Sequence, residues 1–320
     1  MDIVMADGCR ATVSAFIDSP QGLGEITEYG VDRIGLLDPG FLVRAVSAQH
    51  QEEKVLEFLL SAAGACGGRP VTVLLPDMAG DAGARGGAAS GLYRGIRPLL
   101  SDPGNFRPFL RAVLRAGAVS PFELALSMVS QPREMSLCRE ILSGIREELA
   151  AEGLPCVMPA SGMVVEVPSV VPLAANFTFE SGFFIVGSNF LRYLMADDRL
   201  SDGDEDLALY YGQAFLAQIQ MLVDNLKGRR DCVRISAPLV RDPSAVPLLL
   251  GLGIGEIIAP PELVPGIKQI AEMVKYRDAR LIASKAVSYW IPQQAREYVL
   301  ERINKLLPAT PTKKIETGKR

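Results

Sequence analysis

The chain has 320 residues, of which 48% are hydrophobic and 7% aromatic, and its formal net charge is -4. That much apolar material can fill the core of one large α/β barrel or of two ordinary domains. An acidic chain poor in aromatics has neither the positive field nor the stacking platforms of a general nucleic-acid binder.

Taken in chain order, the start MDIVMADG lacks a basic stretch followed by an apolar one, so no signal peptide is expected. Strands are predicted at ATVSAFI (11–17), RIGLL (33–37), VTVLL (71–75), FELALSM (122–128), GMVVEV (162–167), FFIVG (183–187), CVRIS (232–236) and GEIIA (255–259). Several are apolar throughout, as strands covered on both faces should be. Between them lie helical patterns at 51–67, 136–153, 206–228 and 264–276, and a capping helix is expected at 291–307. Strand–helix alternation with about eight strands predicts a single (β/α)8 TIM barrel over 1–308, followed by a flexible basic tail at 309–320. The longest apolar runs are short and interrupted by glycine, so no membrane span is expected. Five cysteines, Cys9, Cys66, Cys138, Cys156 and Cys232, form no close pair and no metal-ligand spacing. That usage suits a reducing cytoplasm.

The ends of the strands carry the candidate chemistry. Glu166, after GMVV, can hold Mg²⁺. Asn189, in GSN, can hydrogen-bond a ligand carboxylate or carbonyl. Arg199, in ADDR, can pair with an anion in a forked geometry. Asp77 and Asp81, in PDMAGD, can act as acids or cap helices. Taken singly, each is more often a cap or a surface charge. The segment 76–91 reads as a mobile loop over a ligand or as a plain connector. Arg94, Arg97, Arg107, Arg111 and Arg115 lie close together in the sequence. They can hold phosphate, although a solvated face with ordinary ion pairs is the commoner outcome. The sole histidine, His50, sits in a polar helical stretch and is expected to face solvent. GLGIGE is no dinucleotide fingerprint and reads as a tight turn before the last strand.

In order along the chain, RIGLL followed by FL, YRGIR with FRPFLRAVLRA, VVEVPS, FFIVGSN with ADDR, and DPSAVPLLLGLGIGE resemble the C-terminal barrel of phosphoenolpyruvate-utilising enzymes. The pattern resembles that of enzyme I of the bacterial sugar phosphotransferase system; pyruvate phosphate dikinase and phosphoenolpyruvate synthase share it. The resemblance implies Mg²⁺ held by Glu166 and by an aspartate after Asn189, where this chain has Phe190. It places Asp38 and Leu74 where the family has substrate-gripping arginines, Ala82 at a lysine, and Ser236 and Pro238 at the acid–base cysteine and its glutamate. Asn189, Arg199, Arg94, Arg97, Asp77 and Asp81 fit the family pattern, and a homodimer is implied.

Charge sets the functional expectation. Phosphoenolpyruvate carries nearly three negative charges. Two missing arginines remove about 3–6 kcal/mol, or about two to four decades of affinity. A serine hydroxyl at 236 is too weak an acid to replace a thiol as proton donor to an enolate. The expectation is therefore a degenerate barrel acting as a dimeric metabolite-binding or regulatory module, with a separate phosphotransfer protein as partner in any transfer. The alternative is an altered Mg-dependent phosphotransferase or enzyme acting on phosphoenolpyruvate, pyruvate or a related keto acid.

Overall fold

A computed structural model describes residues 2–76, 94–197, 200 and 207–306. The eight predicted strands are present as β2 (Arg10–Ile17), β3 (Ile34–Leu37), β4 (Val71–Leu74), β5 (Phe122–Leu126), β6 (Ala160–Val165), β7 (Phe184–Val186), β8 (Val233–Ile235) and β9 (Glu256–Ala259). Each pairs in parallel with its successor, and β9 pairs in parallel with β2, so the sheet closes on itself. A short ninth strand, β1 (Asp2–Val4), pairs antiparallel with the start of β2 at the bottom of the barrel. Sequence reasoning missed it, because three residues are too few to show a period.

Alternation along the strands sorts side chains into two environments. Val13, Ala15, Val71, Val73, Leu124, Met163, Val165, Val233, Ile235 and Ile257 belong to the main core, which the barrel shares with the surrounding helices. Leu36, Ala125, Val164, Phe183, Ile185 and Ile258 form a separate apolar plug inside the barrel, with Phe16 and Leu74 packed against it. Below the plug, Ser14, Thr72, Glu123, Arg234 and Glu256 build a polar floor. Gly35 of β3 is required at this level: a Cβ there would lie 2.1 Å from Ser14 Oγ and 2.8 Å from Glu256 Oε1.

The predicted helices are present at Ala48–Ala65, Pro132–Ala151, Val264–Met273 and Pro292–Leu306. The fifth differs. A 3-10 turn Leu207–Tyr211 comes first, Gly212 is extended at ψ 142°, and the α-helix runs Gln213–Asn225. The break lets Tyr210 and Tyr211 turn inward: both are fully buried, and the Tyr211 hydroxyl bonds Asp242 Oδ2 at 2.9 Å. Among the described residues, no helix is long and apolar enough to cross a membrane. The expected basic tail and the 76–91 loop, apart from Pro76, lie outside the described residues.

Candidate ligand site at the barrel mouth

The C-terminal ends of the strands enclose a cavity of about 300 Å³. Its bottom is the top of the apolar plug: Phe16, Leu36, Leu74, Val164 and Ile258. Its rim is polar, with Asp38, Arg94, Ser127, Glu166, Ser188, Asn189, Ser236 and Arg241. Of the residues singled out from the sequence, Glu166, Asn189, Ser236 and Arg94 are therefore brought together. Arg97 lies half-buried in the short helix Ile96–Ser101 and does not line the cavity. Asp77, Asp81, Ala82 and Arg199 fall outside the described residues.

Glu166 follows β6 and is 5% exposed. Burying a carboxylate is costly unless donors face it, and this one has them. Asn189 Nδ2 donates to Oε1 at 2.7 Å, and the amide of Met128 donates to Oε2 at 3.3 Å. Met128 reaches this position through a left-handed backbone, φ 58°, which a side-chain-bearing residue adopts only under local constraint. A second constraint lies beside it. Gly95, at φ 64°, passes so close to Ser127 that a Cβ would meet its carbonyl oxygen at 2.6 Å. The glycine of YRGIR thus lets the Arg94 segment close onto the end of β5. Asp38, at the end of β3, accepts from the amide of Gly40 at 2.8 Å.

Phe190 is not in the cavity. It opens the helix Phe190–Met195, is 1% exposed, and its ring lies 6.0 Å from that of Phe215 in the outer core. The position that the resemblance gives to a metal ligand is thus an apolar anchor, and the space above the plug stays open. Ser236, after β8, is tied by its amide to the Val186 carbonyl at 2.9 Å. The described residues of the mouth do not by themselves fit magnesium. Glu166 has both oxygens engaged by protein donors, Asp38 stands three strands away around the barrel, and the described residues hold no cluster of three His, Cys, Asp or Glu.

Of the arginine cluster, Arg107, Arg111 and Arg115 take ordinary ion pairs on the outer face. Arg111 bridges Glu52 and Glu152 at 2.6 Å each, and Arg115 pairs with Glu52 and Glu53. Hydrogen bonds donated to Glu152 foremost, against a burial cost, raise the Arg111 pKa, so Arg111 stays charged. Arg107 pairs with Glu148. His50 is exposed, with Nδ1 3.2 Å from Ser47 Oγ. One functional candidate escaped sequence reasoning. Arg241, five residues beyond Ser236, ends the 3-10 turn Pro238–Arg241 and points its exposed side chain over the cavity rim. Its signal was positional: a cation in the loop directly after a barrel strand.

The family profile described as "PEP-utilising enzyme, PEP-binding domain" matches residues 1–276. The chain is 28% identical over 307 residues to the phosphoenolpyruvate-protein phosphotransferase of Staphylococcus carnosus, covering 93% of this chain and 53% of that protein. To the protein of that name from Haloferax volcanii it is 29% identical over 301 residues, 88% of this chain and 52% of the relative. The chain thus spans about half the length of the curated relatives it matches. A solved structure titled as a citrate lyase from Burkholderia xenovorans LB400 shares the fold, with a TM-score of 0.55, 13% identity and 94% of each chain covered. Eight parallel strands in a closed barrel, the ordered motifs at their C-terminal ends and the match over residues 1–276 together make this chain a member of the PEP-utilising enzyme family, in its PEP-binding domain.

Proposed function

We propose that the chain is a metabolite-binding or regulatory barrel that has lost ordinary phosphoenolpyruvate phosphotransfer. The observation that carries this reading is the charge of the mouth. Among the described residues lining the cavity, Arg94 and Arg241 oppose Asp38 and Glu166, and the formal sum is zero. A trianion with a metal needs a strongly cationic, metal-holding site. Here Leu74 and Asp38 stand at two arginine positions of the resemblance, and Glu166 is already engaged by Asn189 and Met128. The reading includes a cytoplasmic homodimer. Trp290 and Ile291, 86% and 49% exposed beside the last helix, supply apolar surface for a second copy. Calorimetry with phosphoenolpyruvate and Mg²⁺ tests the reading. The expected result is no metal-dependent binding, and no label transfer from radiolabelled phosphoenolpyruvate to a separate histidine-bearing phosphotransfer protein. Tight, metal-dependent binding would overturn it.

A second reading, an enzyme of altered chemistry acting on a keto acid, is favoured by one observation: the cavity is open and keeps Ser236, Arg94 and Asn189 on its rim. Under it, Glu166→Ala abolishes turnover of pyruvate or a related acid by the full chain. Unchanged turnover removes it.

A further inference from the structure

Among the described residues, the rim of the cavity holds one cation whose side chain has no partner of its own. The Arg241 guanidinium makes no hydrogen bond or ion pair with any described residue. The acid next to it in sequence is committed elsewhere. Asp242 Oδ1 accepts from the Ser244 amide at 3.0 Å and from its hydroxyl at 2.5 Å, while Oδ2 accepts from Tyr211 at 2.9 Å and lies 3.5 Å from Arg296 Nε. Across the mouth, Glu166 and Asp38 already have backbone and amide donors. Arg241 thus presents a full guanidinium fork to whatever occupies the cavity, and a carboxylate matches that fork.

The cavity below the rim is greasy. Phe16, Leu36, Leu74, Val164 and Ile258 close it, and they belong to or pack on the apolar plug inside the barrel. A second ionised group placed on this apolar bottom would meet hydrocarbon there instead of a counter-charge. An aliphatic tail there would instead lose its water and gain contacts. A volume of about 300 Å³ admits only a small molecule.

Resting on the reading of the mouth as a ligand site, we propose that the cavity binds a short aliphatic monocarboxylate, 2-oxo acids included, with its carboxylate on Arg241 and its hydrocarbon tail on the apolar bottom. Arg241 becomes the specificity-determining contact. It replaces, from the opposite wall of the barrel, the positive charge that Asp38 and Leu74 do not supply.

The experiment is a calorimetric titration of the full chain with acetate, propionate, butyrate, 2-oxobutyrate and phosphoenolpyruvate, for the wild type, Arg241→Gln and Arg241→Lys. In the wild type, affinity should rise about fourfold for each added methylene from acetate to butyrate. Arg241→Gln should weaken every monocarboxylate by about tenfold to a hundredfold and leave the chain-length slope unchanged. Arg241→Lys should recover part of the loss. Monocarboxylate binding that is equal in wild type and Arg241→Gln overturns the role of Arg241 while sparing the mouth as a site. A flat chain-length series overturns the tail placement. Binding of no compound, or of phosphoenolpyruvate most tightly, overturns both the proposal and the reading beneath it.

Discussion

The two ends of the barrel interior carry charge in opposite ways. At the floor, Arg234 is 6% exposed and donates to Glu123 at 2.6 and 3.1 Å and to Thr72 at 2.9 Å. Its Nε lies 3.2 Å from Glu256 as an ion pair without hydrogen-bond alignment, and its guanidinium covers the Phe183 ring at 4.1 Å. Arg33 grips Glu256 with both Nε and Nη2, at 3.1 and 3.3 Å, and Ser14 adds a bond at 2.6 Å. Two arginines and two glutamates thus neutralise one another, with each charge held by named partners. At the mouth, Arg241 has no such partner and stands over an open cavity. The difference teaches that charge inside this barrel is structural where it is mutually paired and available for binding where it is not.

The comparison is tested most severely at the wall of the mouth. If Phe190 is an anchor of the outer core, putting a carboxylate there restores no metal site. Truncating a buried phenylalanine alone costs about 3–5 kcal/mol, and an ionised group beside Phe215 adds to that. Phe190→Asp should leave little folded protein by circular dichroism. A folded variant that binds Mg²⁺ would show that the side chain reaches the mouth after all.

Next in size is the floor. Arg234→Met removes the cation between Glu123 and Glu256 and leaves a half-buried and a buried carboxylate with Arg33 alone. Breaking a buried pair in this way costs about 3–5 kcal/mol, read as a lower urea midpoint. An unchanged midpoint would mean that the floor network is not structural. The same network sets a pH response. Burial opposes ionisation of Glu123, but the Arg234 hydrogen bonds and charge, with the Thr72 hydroxyl, outweigh it and hold the carboxyl below its ordinary value of 4.5. A folded-state pKa below the unfolded one gives stability that is present above about 4.5 and lost as pH falls through the folded value. Glu123→Gln should therefore flatten the loss of stability below that pH. An acid limb as steep as that of the wild type would remove Glu123 from the account.

Much of this was legible in the sequence, for identifiable reasons. Eight apolar runs announced the strands because both faces of each are covered; Glu166 and Asn189 stood out because they follow strand ends directly, whereas Ser236 was singled out only by the resemblance. The floor was missed although its signal was present. Ser14, Thr72, Glu123, Arg234 and Glu256 are polar interruptions inside the predicted strands, and period two would have placed them all inward. The Met128 amide was not legible at all. A backbone donor aimed at Glu166 leaves no mark on residue type, and left-handed methionine is a product of packing. Nor does sequence say which side of a helix-opening residue faces a cavity, and Phe190 illustrates this.

The smallest expected effect concerns a third kind of charge, neither buried nor over a cavity. Arg107 and Glu148 join the helices Arg107–Gly117 and Pro132–Ala151 with side chains 44% and 40% exposed. Water screens such a pair and the two long side chains lose entropy in holding it, so the net worth is about 0–1 kcal/mol. Arg107→Ala should move the urea midpoint by no more than that, and added phosphate should leave it where it was, because Arg107 and its neighbours Arg111 and Arg115 already have carboxylate partners. Stabilisation by millimolar phosphate that vanishes in Arg107→Ala would place an anion site on this outer face. The division between paired, structural charge on the outer face and an available cation, Arg241, at the mouth would then fail.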